Sequence, residues 1–145
     1  MAINLKNFLL SQNRKSIIGH FQDLDHIDGV AISTISANLY KDPRDDLVLF
    51  YFRDGANCAS VYTQSKIISE NIKWNLNVKN NSIKALMVNT RNANAFTGKL
   101  GFKGIVQIAE ELSKQLTIKM TQDEEKINLV KPNQILFGCT GTIGE

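Results

Sequence analysis

The 145-residue chain is 43% apolar and 21% charged, a balance typical of a globular domain with its own core. Its formal net charge of +3 comes from basic residues scattered over the whole length, whereas nucleic-acid binders usually gather them into a stripe or arm. No apolar run approaches the roughly 18 residues that cross a bilayer, and polar residues interrupt the N-terminus where a signal peptide is apolar. These features predict one cytoplasmic domain over residues 1–145, without nucleic-acid or membrane partners.

The two cysteines, Cys58 and Cys139, are far apart and match neither a C-x-x-C motif nor a Cys/His ligand spacing. We therefore expect no metal site and no disulfide framework. Both cysteines are predicted to be small buried residues.

The first part of the chain predicts an opening helix followed by strands. Residues 3–18 carry a loosely helical apolar pattern that breaks near Gly19. Runs of β-branched and apolar residues then predict three strands, at residues 29–40, 47–52 and 59–63. Turn chemistry at 42–46 (DPRDD) separates the first two strands, and a polar loop at 54–57 precedes the third.

A helix is predicted next, over residues 65–77. Ile68, Ile72 and Leu76 are four residues apart, which stacks them on one helical face. This helix is expected to cover the sheet. The short apolar run at 83–88 (IKALMV) predicts another buried strand.

The clearest helical pattern in the chain covers residues 104–116. Apolar residues there recur at spacings of three, four and seven, at Ile105, Ile108, Ala109, Leu112 and Leu116. A charged loop is predicted at 122–126 and a short strand at 135–137. The alternation of strands and helices predicts α/β layers, with the 104–116 stripe packed on the sheet.

Two loops share a pattern in which a buried strand runs into Thr-Gly, at Thr97-Gly98 and at Thr140-Gly141. Glycine lets a ligand approach the main chain, and the neighbouring hydroxyl can donate a hydrogen bond to a developing anion. Such a donor pair is what the oxyanion hole of an acyl-transfer enzyme requires. The pattern alone is more often a simple strand-end turn.

The longer context of both loops resembles the glutamate N-acetyltransferase family, also called ornithine acetyltransferases. Residues 88–98 read VNTRNANAFTG and residues 139–145 read CTGTIGE, which resemble the family patterns V-N-S-G-N-A-N-A-x-T-G and S-T-G-V-I-G. Upstream, residues 46–50 (DLVLF) and 59–64 (ASVYTQ) are similar to the family's D-L-A-L and A-G-V-F-T-x-N stretches. The resemblance covers residues 28–145 in order, and the two loop motifs together are much more specific than either alone.

This resemblance implies an enzyme of arginine biosynthesis that moves an acetyl group from N-acetylornithine to glutamate. Some members also take the acetyl group from acetyl-CoA; no other cofactor is expected. In the family a precursor cleaves itself before a threonine, which becomes the N-terminal nucleophile of a β chain and uses its own amine as general base. The T-G of the second motif forms the oxyanion hole, which assigns Thr140 as the side-chain donor and Gly141 as the backbone donor.

The resemblance also implies a fold and a set of partners. The fold is a layered α-β-β-α sandwich of the α/β class, of which residues 1–145 would be the N-terminal portion of the α chain. They stop before the family's substrate-binding lysine and its Ala-Thr-Met-Leu cleavage motif. The implied partners are N-acetylornithine, glutamate and a downstream β chain that carries the nucleophile, in an αβ hetero-oligomer.

Three residues depart from the family patterns. Arg91 stands where the family has glycine, Cys139 replaces serine, and Thr142 replaces valine. A positive φ at Arg91 would cost roughly 1–2 kcal/mol. Asn92 and Asn94 of the same loop are interpreted as structural braces in preference to substrate ligands.

Two other interpretations stay open at the level of sequence. The chain could be a non-catalytic binding or regulatory module that keeps the pocket without the chemistry. It could also be a relative of the N-terminal-nucleophile aminopeptidases, although VNTRNANAFTG is not a motif specific to that class.

Overall fold

The computed structural model describes residues 27–79, 82–124 and 129–144. The opening helix predicted over residues 3–18 lies outside these ranges. The elements follow in chain order as β1 Val30–Ile35, β2 Leu47–Asn57, α1 Glu70–Asn77, β3 Ser82–Asn89, β4 Asn92–Ala93, α2 Gly98–Glu124, a 3-10 helix Pro132–Gln134, β5 Ile135–Cys139 and β6 Thr142–Ile143.

Five of these elements form the central layer and its crossover. The main sheet has the strand order β1-β2-β3-β5, in which the first two pairs are antiparallel and β3 pairs with β5 in parallel. The long helix α2 connects the parallel strands, as parallel pairing requires. A separate small sheet pairs β4 with β6, also in parallel. The predicted α/β class is confirmed.

The prediction of a strand at residues 59–63 is wrong. Instead β2 continues through the predicted loop at 54–57 as far as Asn57, and Val61 is 98% exposed without regular structure. Gly55, with φ of +84°, lies where the β2–β3 register shifts, and it forms a bulge that lets the strand continue past polar residues. A bulge interrupts strict alternation, so the sequence pattern there looks like a loop.

The core lies between the main sheet and α2. Tyr51, Ala85 and Ile135 are aligned across β2, β3 and β5, and each is at most 5% exposed. Ile105 and Ala109 of α2 pack into the same cluster. The predicted packing of this helix on the sheet is therefore confirmed for Ile105 and Ala109.

The buried face of α2 differs from the predicted stripe. Ile108 is 44% exposed, whereas Ser113 is only 5% exposed and donates its hydroxyl to the carbonyl of Glu110. The helix also begins at Gly98 and ends at Glu124, beyond the predicted bounds on both sides. No proline or C-terminal glycine signal follows Leu116, so helix formation continues after the apolar stripe ends.

Helix α1 covers the edge of the sheet instead of packing an apolar stripe on its face. The predicted stripe is wrong, because Leu76 is 53% exposed and Ile68 precedes the helix. The Trp74 Nε1–H donates to the Ile135 carbonyl at 2.9 Å, and the Asn75 amide both donates to the Phe137 carbonyl at 2.9 Å and accepts the Phe137 N–H at 3.0 Å. These side chains satisfy backbone groups that β5 would otherwise leave unpaired at the sheet edge.

The sheet face that points away from the helices is also apolar. Ile32, Phe50, Leu86 and Leu136 are aligned in one row across the four strands. Sheets that are covered on both faces have apolar residues on both, so this face is consistent with a layered sandwich. Within the described residues, no helix is long and apolar enough to cross a membrane.

Candidate functional site

Three loops meet at one end of the strands of the main sheet. Leu47, Asn89 and Cys139 are aligned across β2, β3 and β5, so β3 and β5 end side by side. The loops that begin or end at this row are 36–46 and 90–97, together with the turn 140–144. The two Thr-Gly motifs, 43 residues apart in sequence, therefore follow neighbouring parallel strands, the position where α/β proteins commonly bind ligands.

Thr140 and Gly141 follow directly after β5 and are both exposed. The turn is anchored by two backbone bonds, from the Thr140 N–H to the Asn89 carbonyl at 3.1 Å and from the Thr142 N–H to the Arg91 carbonyl at 2.7 Å. In the described part of the chain, neither the Thr140 hydroxyl nor the Gly141 N–H has a hydrogen-bond partner. Two adjacent donors are thus available to a ligand.

Gly141 is required by its surroundings. Its φ is +135°, and a Cβ at this position would lie 2.0 Å from the carbonyl oxygen of Arg91. The loop after β3 therefore lies directly against the Thr140–Gly141 turn. Only glycine permits this approach without moving the backbone.

The side chains of Asn89, at the end of β3, and of Asn94 in the 90–97 loop brace this loop. Asn89 Nδ2 donates to the carbonyls of Thr90 and Asn92, at 3.1 and 2.9 Å. Asn94 Nδ2 donates to the Gly101 carbonyl at 3.2 Å, and its Oδ1 accepts the hydroxyl of Thr97. For Asn94 these bonds support the bracing interpretation, and they join the loop to the first turn of α2.

Cys139 has a specific structural contact and is only half-buried, as is Cys58, so the prediction that both are buried is wrong. The Cys139 thiol accepts the Asn94 N–H at 3.1 Å and donates to Asn71 Oδ1 at 3.1 Å. It joins the end of β5 to the loop on one side and to α1 on the other. The polar asparagine on α1 explains why the thiol is not in a purely apolar pocket.

A small cavity adjoins the turn. It has a volume of about 170 Å³, and its lining includes Asn71, Asn94, Gly138 and Cys139 but not Thr140 or Gly141. A larger, open groove of about 590 Å³ lies between α1 and the start of α2 and includes no residue of 138–144. We assign the candidate site to the exposed turn, because its two donors have no hydrogen-bond partner among residues 27–79, 82–124 and 129–144.

Arg91 adopts the conformation that the glycine of the family pattern suggested. Its φ is +82°, in the left-handed region that L-residues enter at a cost of roughly 1–2 kcal/mol. Its Nη1 donates to the hydroxyl of Thr142 at 3.0 Å. Sequence reasoning identified Arg91 and Thr142 as departures from the pattern but did not predict that they contact each other.

The fold is similar to that of solved ornithine acetyltransferase structures. An ornithine acetyltransferase from Mycobacterium tuberculosis, solved in complex with ornithine, matches with a TM-score of 0.70 at 22% identity, over 81% of this chain and 58% of that chain. The arginine biosynthesis bifunctional protein argJ from Bacillus halodurans matches with a TM-score of 0.64 at 24% identity, over 81% and 56%. The fold class is therefore the layered α/β fold of the ornithine acetyltransferases, as predicted.

Sequence comparison identifies the family. The ArgJ family model matches residues 31–145. The arginine biosynthesis bifunctional protein ArgJ of Bartonella henselae is 33% identical over 128 residues, and that of Zymomonas mobilis is 29% identical over 123 residues. These matches cover 87% and 84% of this chain but only 28% and 27% of the relatives. The chain belongs to the ArgJ family and spans little more than a quarter of the length of these relatives.

Proposed function

We propose that this chain supplies the oxyanion hole of an acetyltransferase that moves an acetyl group from N-acetylornithine to glutamate in arginine biosynthesis. The Thr140 hydroxyl and the Gly141 N–H are the two donors. The nucleophile is a threonine of a downstream segment outside these 145 residues, so the site is completed by a partner β chain in an αβ assembly.

One observation carries the proposal. In a chain of the ArgJ family, two neighbouring donors lie on an exposed turn at the ends of parallel strands, and neither is used by another group of the described residues. Donors committed to internal hydrogen bonds cannot serve an oxyanion, whereas free donors on a braced turn can.

The proposed chemistry has two similar steps. The threonine oxygen attacks the acetyl carbonyl of N-acetylornithine, and the C–O bond forms as the carbonyl electron pair moves onto oxygen. The two donors bind this oxygen until it returns its electrons and ornithine leaves as the amine, having gained the nucleophile's proton. The glutamate amine then attacks the carbonyl of the acetyl-threonine. The C–N bond forms, the C–O bond to threonine breaks, and the threonine oxygen takes the proton that the amine loses as N-acetylglutamate is released. One such donor typically contributes roughly 3–4 kcal/mol to transition-state stabilisation.

The test uses the product of the whole reading frame that encodes this chain. Purified protein is incubated with N-acetylornithine labelled in the acetyl group and with glutamate, and labelled N-acetylglutamate is measured. A parallel reaction with labelled acetyl-CoA determines whether that donor is also used. If the wild-type product binds N-acetylornithine but transfers nothing, it is a binding module and the proposal is wrong.

Thr140 is tested in the same assay. Thr140→Ala is expected to lower the rate of acetyl transfer roughly 100- to 1000-fold, because one donor to the oxyanion is lost. Single-turnover acetylation of the nucleophile isolates this chemical step from product release. Thr140→Ser keeps the hydroxyl and serves as the matched variant, and Ser33→Ala controls for loss of an exposed hydroxyl elsewhere. A near-wild-type rate in Thr140→Ala would remove Thr140 from the mechanism.

A further inference from the structure

Arg91 and Thr142 contact each other twice, across the position of Gly141. The Arg91 carbonyl accepts the Thr142 N–H at 2.7 Å, and the Arg91 Nη1 donates to the Thr142 hydroxyl at 3.0 Å. We call this pair the Arg91–Thr142 clasp. It joins residues that are 51 positions apart in sequence.

The clasp depends on an unfavourable backbone conformation. Arg91 has a φ of +82° although it is not glycine. Strained residues of this kind persist only where the surrounding structure determines their conformation. Here the side-chain bond to Thr142 and the backbone bond to the same residue both favour the strained form.

The clasp also determines where Gly141 lies. The Arg91 carbonyl occupies the space that a Cβ of Gly141 would need, at 2.0 Å. Movement of Arg91 would therefore change the position of the Gly141 N–H. Since the Thr140 hydroxyl and the Gly141 N–H have no bonds of their own within the described residues, their directions depend on the backbone of the turn.

We infer that Arg91 and Thr142 are positioning residues that hold the Thr140–Gly141 donor pair in the orientation needed for acetyl transfer. This inference rests on the proposed function. An oxyanion hole stabilises the transition state only if its donors are preorganised, since a mobile donor must be ordered during the reaction. Backbone bonds from the Thr140 N–H to the Asn89 carbonyl and from the Gly144 N–H to the Ala95 carbonyl hold the two ends of the turn, and the clasp holds it at the residue after Gly141.

The geometry separates this role from a general effect of positive charge. A guanidinium has a planar set of five donors, whereas a lysine ammonium is a point charge on a flexible chain. Arg91→Lys therefore keeps the charge but loses the bond geometry. Thr142→Val keeps the shape of residue 142 and removes its hydroxyl, and Thr142→Ser restores it.

The first measurement is steady-state acetyl transfer by the product of the whole reading frame. Arg91→Lys and Thr142→Val are each expected to lower kcat about 10-fold with KM changed less than 2-fold, because donor orientation matters most in the transition state. Thr142→Ser should be close to wild type. Arg44→Lys is the matched control, because Arg44 stacks on the Tyr40 ring at 3.7 Å in the neighbouring loop.

Coupling between the two residues is measured in the double variant Arg91→Lys/Thr142→Val, which combines the two single variants. If the residues act as one unit, its kcat should fall no further than that of Thr142→Val, because each change removes the same contact. Multiplied effects in the double variant, or a change confined to KM, would overturn the positioning role.

The second measurement does not depend on acetyl transfer. Hydrogen exchange at the amide of residue 142, which donates to the Arg91 carbonyl, is followed by NMR in the 145-residue chain. Exchange should be about 10-fold faster in Arg91→Lys and Thr142→Val but unchanged in Arg44→Lys. Unchanged exchange in all variants overturns the clasp itself, whereas absence of transfer by the wild-type product overturns the proposed function and with it the catalytic role.

Discussion

Replacement of Gly141 by alanine tests how closely the loop after β3 approaches the turn after β5. The new Cβ would lie 2.0 Å from the Arg91 carbonyl oxygen and 2.7 Å from the Asn92 nitrogen, so the backbones must separate. Two backbone hydrogen bonds across this contact would be weakened, at about 0.5–1.5 kcal/mol each. The positive φ adds roughly 1–2 kcal/mol.

The expected loss of stability for Gly141→Ala is about 2–5 kcal/mol in urea unfolding of the 145-residue chain. At roughly 2–4 °C per kcal/mol for a domain of about this size, Tm should fall by roughly 4–20 °C. NMR should show the largest changes at the amides of residues 140, 142 and 92. These residues lie at the contact that must open.

The matched control is Gly144→Ala. Gly144 also has a positive φ, +83°, but a Cβ there would meet nothing within 4 Å. This variant carries the backbone strain without the collision, and the effect of alanine on the unfolded chain is the same in both. It should cost about 1 kcal/mol. Equal losses in the two variants would show that Gly141 is needed only for its dihedral angles, and our reasoning about the close approach would be wrong.

Three further predictions concern the helix and the core. Gly101→Ala should destabilise the chain by about 1–2 kcal/mol, because its Cβ would displace the hydrogen-bonded side chains of Thr97 and Asn94. Gly104→Ala, on the same helix with open space around it, should stabilise the chain by about 0.5–1 kcal/mol in the same urea titration, and a loss there would contradict the helix assignment. Ile135→Ala should cost about 2–5 kcal/mol, since this side chain is fully buried between the sheet and α2; a loss below 1 kcal/mol in thermal unfolding would mean that the core is elsewhere.

Much of the fold could be predicted where a residue pattern has a single physical cause. The apolar runs at 47–52, 83–88 and 135–137 are continuous because these strands lie in the interior of the layers, and all three are strands. The stripe at 104–116 is on a helix because its spacing follows the helical repeat. In each case burial alone determines the pattern.

The prediction failed where polar groups took the place of apolar contacts. Helix α1 packs on β5 through Asn71, Trp74 and Asn75, which bond to backbone groups of the strand. The spacing of apolar residues gives no information about a helix face that packs through polar side chains. It predicts burial of Ile72 and Leu76 instead. The continuation of β2 past Gly55 was missed for a similar reason, because a bulge breaks the alternation.

For the candidate site, the sequence predicted the position of Thr140 and Gly141 after a strand, and the structure has them there. Their role as donors remains a prediction. The contact of Arg91 with Thr142 depends on the parallel pairing of β3 with β5 and of β4 with β6. Such pairing joins distant parts of the chain, so spacing within one loop contains no information about it.

The aligned row formed by Leu47, Asn89 and Cys139 has a consequence for how this protein can tolerate insertions and deletions. Side chains alternate between the two faces of a sheet, so loss of one residue within β5 would turn the Cys139 thiol away from Asn71 and Asn94. The same loss would start the Thr140–Gly141 turn one position early relative to Arg91. Changes in the length of the 36–46 loop leave the alternation of side chains in β3 and β5, and the alignment of the turn with Arg91, unchanged. Changes in the length of β3 or β5 alter both.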